Sequence, residues 1–171
     1  LLRGDFGYSY SYSAPVGPIV GEALVNTVIL VTVSTVLVVG LGVVIGVFAA
    51  ARRGTRSDRG LVVGSLVFWS LPTFWVGMLL IFAFAVALDW LPIAGMYTAD
   101  AIYPTVFTRI ADLARHLVLP TAAMVMVDIA QFVLITRSSL LNTLSEDFMT
   151  TARAKGLHPR RVLWQHGVRN A

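Results

Sequence analysis

The sequence contains little that could carry covalent chemistry. None of its 171 residues is Cys, which excludes thiolate nucleophiles, disulfides and Cys-based metal or cluster sites. His116, His158 and His166 form no i, i+4 pair among themselves, which argues against a metal site. Asp112 and His116 do stand four apart, but no third ligand accompanies them. No Ser sits beside a base in a recognisable hydrolase frame. No G-x-x-x-x-G-K-[ST] is present to cradle a nucleotide's phosphates. The remaining chemistry is electrostatic, and Asp128 is its sharpest instance, the only charge within Leu117–Thr136. A lone carboxylate near the centre of a membrane helix costs on the order of 2.5–3.5 kcal/mol on insertion scales, so such groups usually face protein or water. Gln131 is three residues on and shares the helix face. Two readings stay open. The pair lines a path and meets a charged group of a solute, or Asp128, protonated or hydrogen-bonded, holds a neighbouring helix.

The element that carries Asp128 is one of three apolar blocks. Ala23–Ala51 and Gly60–Leu88 hold no charge over 29 residues each, and Leu117–Thr136 holds one over 20. The whole chain is 57% hydrophobic and 13% charged, with a mean hydropathy of +0.78. A soluble domain has about a quarter of its residues charged, and a disordered chain is far more polar. A helix needs roughly 20 apolar residues to cross a hydrocarbon core of ~30 Å. Lipid offers the backbone no partner, so spanning segments are helices or closed barrels. The alternating pattern of barrel strands is missing. The expected fold is therefore an all-α polytopic membrane bundle with helices at about 23–51, 60–88 and 117–136. Gly42 and Gly46 form a G-x-x-x-G on the first helix, with Gly40 nearby, a spacing that lets helix backbones approach closely. Pro72 is expected to kink the second.

The basic residues set the orientation. Ten of the 13 Lys and Arg lie in the joint 52–59 (Arg52, Arg53, Arg56, Arg59) or in the tail 137–171 (Arg137, Arg153, Lys155, Arg160, Arg161, Arg169). Only Arg3, Arg109 and Arg115 lie in 1–22 and 89–116. The positive-inside bias puts the first pair of segments in the cytoplasm and the second pair outside. The net charge of +4 and the pI of about 10.0 are then a topology signal. No zinc-finger, RNP or helix-turn-helix pattern points to nucleic acid. In the outer segments, Tyr8, Tyr10 and Tyr12 at period two predict an extended strip with one aromatic face, either an interfacial anchor or a partner contact. The 89–116 loop is expected to hold a turn and a short helix near Pro104–Arg115. The first residue is Leu, not Met, with no signal-peptide pattern before it, so the chain reads as a piece of a longer protein.

The tail has its own pattern. Leu140, Leu141, Leu144, Phe148 and Ala152 recur at helical spacing. Ser145 suits an N-cap, with Glu146 and Asp147 in the first turn. Gly156 stands where a left-handed stop residue belongs, and Pro159 suits the start of a second helix. The spacing predicts a helix over about 146–155, a sharp corner, and a helix from about 159 onward. A basic amphipathic helix beside a membrane often lies on the lipid surface. A corner followed by a second basic helix instead presents a knob suited to a groove on another protein.

Thr151-Ala152-Arg153-Ala154-Lys155-Gly156-Leu157, followed by Pro159-Arg160-Arg161-Val162-Leu163 and Arg169-Asn170-Ala171, resembles the EAA loop of ABC importer permeases, in particular the dipeptide/oligopeptide/nickel family. Further strings match in the same order along the chain: Gly4-Asp5-Phe6-Gly7-Tyr8-Ser9, Ser70-Leu71-Pro72-Thr73-Phe74-Trp75, Trp90-Leu91-Pro92-Ile93-Ala94-Gly95, His116-Leu117-Val118-Leu119-Pro120 and Thr136-Arg137-Ser138-Ser139-Leu140-Leu141. The family-wide Glu of the loop corresponds to Thr150, although this subfamily often lacks it. The family usually has an apolar residue near Asp128.

The resemblance implies a six-helix permease subunit of the type I ABC importer kind, of which this chain holds the second to fourth helices, in the cell's inner membrane among lipid. It implies a second permease subunit, two cytoplasmic ATPase subunits and an extracytoplasmic substrate-binding protein. The chain would bind no cofactor, and ATP and Mg would belong to the ATPase. The residues expected to couple to that ATPase are Thr151, Ala152, Arg153, Ala154, Lys155, Gly156, Leu157, Arg160 and Arg161. Apart from the resemblance, the path reading of Asp128 and Gln131 stays open beside the packing one, and in it the charged group they meet could be a peptide's amino terminus. Peptide, nickel and glutathione importers share these motifs. Two other classes are weighed: a proton-coupled secondary transporter using Asp128, which would need paired broken repeats, and a membrane scaffold without transport.

Overall fold

The structure, a computed structural model, describes residues 6–154, 156, 158 and 161–171, with only the backbone of 150–153. Lys155, Leu157 and Arg160 lie outside the described residues. The fold is helical apart from one small hairpin. In that hairpin β1 (Tyr8–Ser9) pairs antiparallel with β2 (Ala14–Pro15). The aromatic strip expected here is therefore not extended. The chain turns back over residues 10–13, with Ser13 at φ 49°, and the Tyr8 and Tyr10 rings meet edge to face at 6.2 Å.

Helix α1 (Val16–Ala51) starts seven residues before the uncharged block. Pro15 precedes it and Pro18 falls in its first turn, where a missing N–H costs nothing. Its 36 residues give a length of about 54 Å, so it outruns the hydrocarbon core. The chain reverses over four residues at Arg52–Thr55, using Gly54 at φ 81°. Helix α2 (Arg56–Trp69) then begins with the Thr55 hydroxyl accepting from the Asp58 N–H.

The second apolar block departs from expectation. A kinked single helix was expected over 60–88, but the chain forms α2 and a separate helix α3 (Thr73–Leu80), which continues as a π-helical stretch over Ile81–Ala87. The two arms meet at 96°. Pro72 lacks an N–H and drives Leu71 away from helical geometry, and Pro72 itself takes an extended conformation (φ −61°, ψ 128°) as the N-cap of α3. At the end of α2 the Ser70 hydroxyl (2.9 Å) and N–H (3.1 Å) both donate to the Leu66 carbonyl. Two helices, Val16–Ala51 and Val106–Leu144, are each long and apolar enough to span a membrane, and the bent pair is a third if it counts as one span.

Helix α4 (Val106–Leu144) joins what the sequence pattern divided into three parts. It absorbs the short helix expected near Pro104–Arg115, the block 117–136, and the first eight residues of the tail. Thr105 and Thr108 form a reciprocal cap at its start. The outer loop is pinned to it by Asp112, whose carboxylate accepts from the Thr98 N–H and hydroxyl (both 2.7 Å) and from the Tyr103 hydroxyl (2.6 Å). Those bonds, Tyr103's first, hold the Asp112 carboxyl down at about 2.

Helix α4 is the element against which the others pack. Gly42 and Gly46 on α1 lie against Phe132, Val133 and Thr136 on α4. A Cβ on Gly46 would stand 2.7 Å from the Thr136 Cβ and 2.9 Å from the Val133 carbonyl oxygen, whereas one on Gly40 would meet nothing within 4 Å. Val76 on α3 meets Ala123 and Val127 of α4. Gly46→Val is therefore expected to destabilise the protein by about 1–3 kcal/mol through overpacking, and Gly40→Val much less. Thermal unfolding of the two variants in detergent measures the difference.

Candidate functional site at the arginine-rich end of the bundle

Arg137 stands where the apolar run of α4 ends. Its Nε donates to Asp58 Oδ1 (2.7 Å) and its Nη2 to Asp58 Oδ2 (2.9 Å). Asp58 is 3% exposed and also accepts from the Gly54 N–H at 2.9 Å. The carboxylate thus ties the α1–α2 turn, the start of α2 and the end of α4 together. Arg137's hydrogen bonds, followed by Gly54's, lower the Asp58 carboxyl from 3.8 to about 2 against the opposing effect of burial. The same pairing raises the Arg137 guanidinium.

Sequence reasoning used Arg137 for orientation and within a family string, and passed over Asp58. Two signals were available. Asp58 is the one acid in the joint 52–59, and Thr55-x-x-Asp58 before an apolar run is a capping pattern.

Beyond Arg137, α4 runs two more turns to Leu144. Ser145 does not take the N-cap role expected of it. It closes α4, and its hydroxyl donates to the Asn142 carbonyl (2.7 Å). Helix α5 (Asp147–Ala154) follows, with Asp147 in its first turn. Gly156 has φ 73°, a conformation open to Gly at little cost. Helix α6 (Val162–Val168) is wound as a π-helix, and the His158 carbonyl accepts from the Arg161 and Val162 N–H groups just before it; Pro159 and Arg160, where this helix was expected to begin, lie outside the described residues.

Helices α5 and α6 close on each other through Met149 and Val162, both buried against Leu144. Leu163 and Val168 join a cluster with Val47, Ala50 and Leu140. Gly167 sits tightly under Leu140 and Leu144, and the Ser139 hydroxyl donates to the Ala171 carbonyl (2.6 Å). The tail therefore folds back onto the ends of α1 and α4.

The expected coupling residues fall as follows. Thr151, Ala152 and Arg153 lie on the backbone of α5, and Ala154 is exposed at its end. Gly156 makes the corner. Arg161 is exposed, with its Nε donating to Gln165 Oε1 (2.8 Å). Lys155, Leu157 and Arg160 are outside the described residues. Asp128 and Gln131 are not part of this cluster. Both are exposed on α4, nine and six residues before Arg137. No group of three or more potential metal-binding acids or His occurs among the described residues.

These features define a multi-pass helical membrane protein with a folded basic appendage at one end. Residues 42–171 match the family described as binding-protein-dependent transport system inner membrane component. The chain belongs to this family, whose members are transport components of the inner membrane rather than enzymes. It is 37% identical over 172 residues to the oligopeptide transport system permease protein AppB of Bacillus subtilis, covering 100% of this chain and 53% of that protein. It is 39% identical over 171 residues to the probable peptide ABC transporter permease protein y4tP of Sinorhizobium fredii, covering 100% and 52%. It is 39% identical over 145 residues to the di/tripeptide transport system permease protein DppB of Pseudomonas aeruginosa, covering 76% and 43%. The chain spans about half the length of the curated relatives it matches.

The Asp58–Arg137 pair yields a test. A group whose carboxyl is lowered on folding stabilises the folded state above its unfolded value and loses that contribution as pH falls through the folded value. The pair should therefore hold unchanged through neutral pH and fail only between about 4 and 2. Asp58→Asn at pH 7 should lower stability by about 3 kcal/mol, the lower end for removing one partner of a buried pair, because the Arg137 side chain is still 26% exposed. A double-mutant cycle with Arg137→Gln, read by thermal unfolding, isolates the coupling.

Proposed function

We propose that this chain is part of the permease subunit of an ATP-driven importer, carrying peptides or a related small solute. In this reading the arginine-rich end faces the cytoplasm, and the α5–Gly156–α6 corner docks on a separate ATPase subunit that binds ATP and Mg. A second permease subunit completes the path, and an extracytoplasmic binding protein delivers the solute. The relatives' printed names support the solute class. The positive-inside bias supports the orientation.

One observation carries the coupling role. The corner is not a free tail, because Met149 and Val162 pack on Leu144, the last residue of α4. Closure of an ATPase dimer against the corner would displace α5 and α6. That displacement would pass through Leu140 and Leu144 into α4, and through Arg137 and Asp58 into α2. Energetic coupling of this kind requires packed elements with two discrete arrangements, here the inward- and outward-facing states of an importer. The contact residues are Thr151, Ala152, Arg153, Ala154, Lys155, Gly156 and Leu157, with Arg160 and Arg161 as charge partners. Asp128 and Gln131 line the path, and Pro72 sets the bend of the second span.

The test is Gly156→Val in the full-length permease assembled with its partners. A Cβ at Gly156 meets none of the described residues within 4 Å, but at φ 73° a Val there strains the backbone by about 1–2 kcal/mol. Membrane insertion should be intact, solute uptake should fall tenfold or more, and ATP hydrolysis by the complex should continue. Unchanged uptake would remove the corner from the mechanism.

A further inference from the structure

Thr121, Asp128, Ile135 and Asn142 recur every seven residues, so they lie one above another along α4 with only a small drift. Their surroundings change abruptly along that line. Thr121 is buried, with the Ser34 hydroxyl of α1 directed at its side-chain oxygen (3.5 Å), and Leu117, one turn further from Arg137, is also buried. From Asp128 toward the arginine-rich end the line is open. Asp128, Gln131, Ile135, Ser138 and Asn142 are all exposed.

Four of those five exposed side chains are polar. Elsewhere the exposed surface of the spans is mostly apolar, with Val28, Val36, Val44, Phe74 and Phe82 among its residues, and its polar members Thr27, Thr32, Thr35 and Thr73 are single threonines, whose hydroxyls can bond back within their own helix as Thr27 does to the Ala23 carbonyl. Asp128 has no hydrogen bond or ion pair with any described residue.

The depth of Asp128 sharpens the problem. Arg137, paired at the end of the apolar run, is nine residues further along, about 14 Å, and half of a ~30 Å hydrocarbon core is about 15 Å. Asp128 therefore lies near the membrane midplane. A carboxylate there facing lipid is costly, and a second polar residue each turn or so multiplies the cost.

We infer that this face of α4 is the wall of a water-filled half-path, closed toward the outside at Thr121 and Ser34 and open toward the cytoplasm from Asp128. Asp128 is the station at which a solute's protonated amine rests before it leaves along Gln131, Ser138 and Asn142. This rests on the importer reading and adds to it the chemical class of the group recognised and the direction in which the path is open. A single unpaired carboxylate selects a cation, and the uncharged polar side chains beyond it offer hydrogen bonds without a second trap.

The test uses thiol labelling of the assembled transporter in membrane vesicles. Gln131→Cys, Ser138→Cys and Val133→Cys are introduced one at a time into an otherwise cysteine-free permease. Each is treated from the cytoplasmic side with a cationic and an anionic methanethiosulfonate. Positions 131 and 138 should react, whereas 133, buried against α1, should not. At position 131 the cation-to-anion rate ratio should fall about tenfold when Asp128→Asn is added, the size expected for unit charges a few ångströms apart in water. No reaction at 131 and 138 would mean that lipid or another helix covers the face and would overturn the inference. Reaction with a ratio indifferent to Asp128→Asn would overturn the assignment of Asp128 to a cation.

Uptake of trialanine and of N-acetyl-trialanine in proteoliposomes separates the two levels of the argument. The wild type should prefer the free amine about tenfold, and Asp128→Asn should erase the preference. A preference unchanged by Asp128→Asn would overturn the station. If the wild type imports neither peptide with ATP, the peptide-importer reading fails, while the labelling ratios still decide whether the half-path and its cation preference stand.

Discussion

A guanidinium at the end of a long apolar helix cannot sit in hydrocarbon without a partner, and in this protein that constraint is met by one carboxylate. Arg137 takes Asp58 in a two-pronged bond, and Asp58 is in turn fixed by the Gly54 N–H and by the Thr55 cap at the start of α2. The pair levels three elements at one height: the turn after α1, the first turn of α2, and the point where α4 leaves its apolar run. Everything else can be measured from that level. Asp128 lies about 14 Å deeper along α4, and the corner formed by α5 and α6 lies beyond it on the other side.

In the proposed importer, the same level would let the appendage act on spans it does not enter. A charged pair alone ties two helices together at a single point. Here the pair is backed by close packing. Gly42 and Gly46 let α1 and α4 touch along their backbones, and the α6 residues Leu163 and Val168 fill the angle beside Val47, Ala50 and Leu140. Packed interiors transmit displacement because they compress little. At the right-angled break at Ser70–Pro72 the second block divides into α2, tied to the arginine-rich end through Asp58, and α3, packed on the middle of α4 through Val76.

Polar groups inside the bundle sort into two kinds by surroundings rather than by type. Ser34 and Thr121 face each other and are buried, so they serve packing between α1 and α4. Asp128 and Gln131 are exposed with no partner among the described residues, which only a wet surface or a further protein surface can accommodate. At the opposite end, Asp112 is a third case. It spends its carboxylate on Thr98 and Tyr103 and holds an irregular loop against the start of α4.

Much of this was legible without coordinates, because membrane helices are specified by composition over long windows. Three charge-free or nearly charge-free blocks demanded helices, the spacing of Gly42 and Gly46 marked a close crossing, and Gly156 announced a left-handed corner that is found at φ 73°. Contacts between residues distant in sequence were not legible. The periodicity of α4 reads as three pieces because its polar ends look like loops, yet helical geometry continues across them once Asp112 and Arg137 find partners on other elements. Pro72 signals a disturbance, but the size of the bend, 96°, depends on what α3 packs against. Asp58 and Arg137 are 79 positions apart, and no local pattern joins them. Composition and spacing act within a helix, whereas pairing, burial and the exposed polar side of α4 exist only after the helices have packed, and those relations make the site.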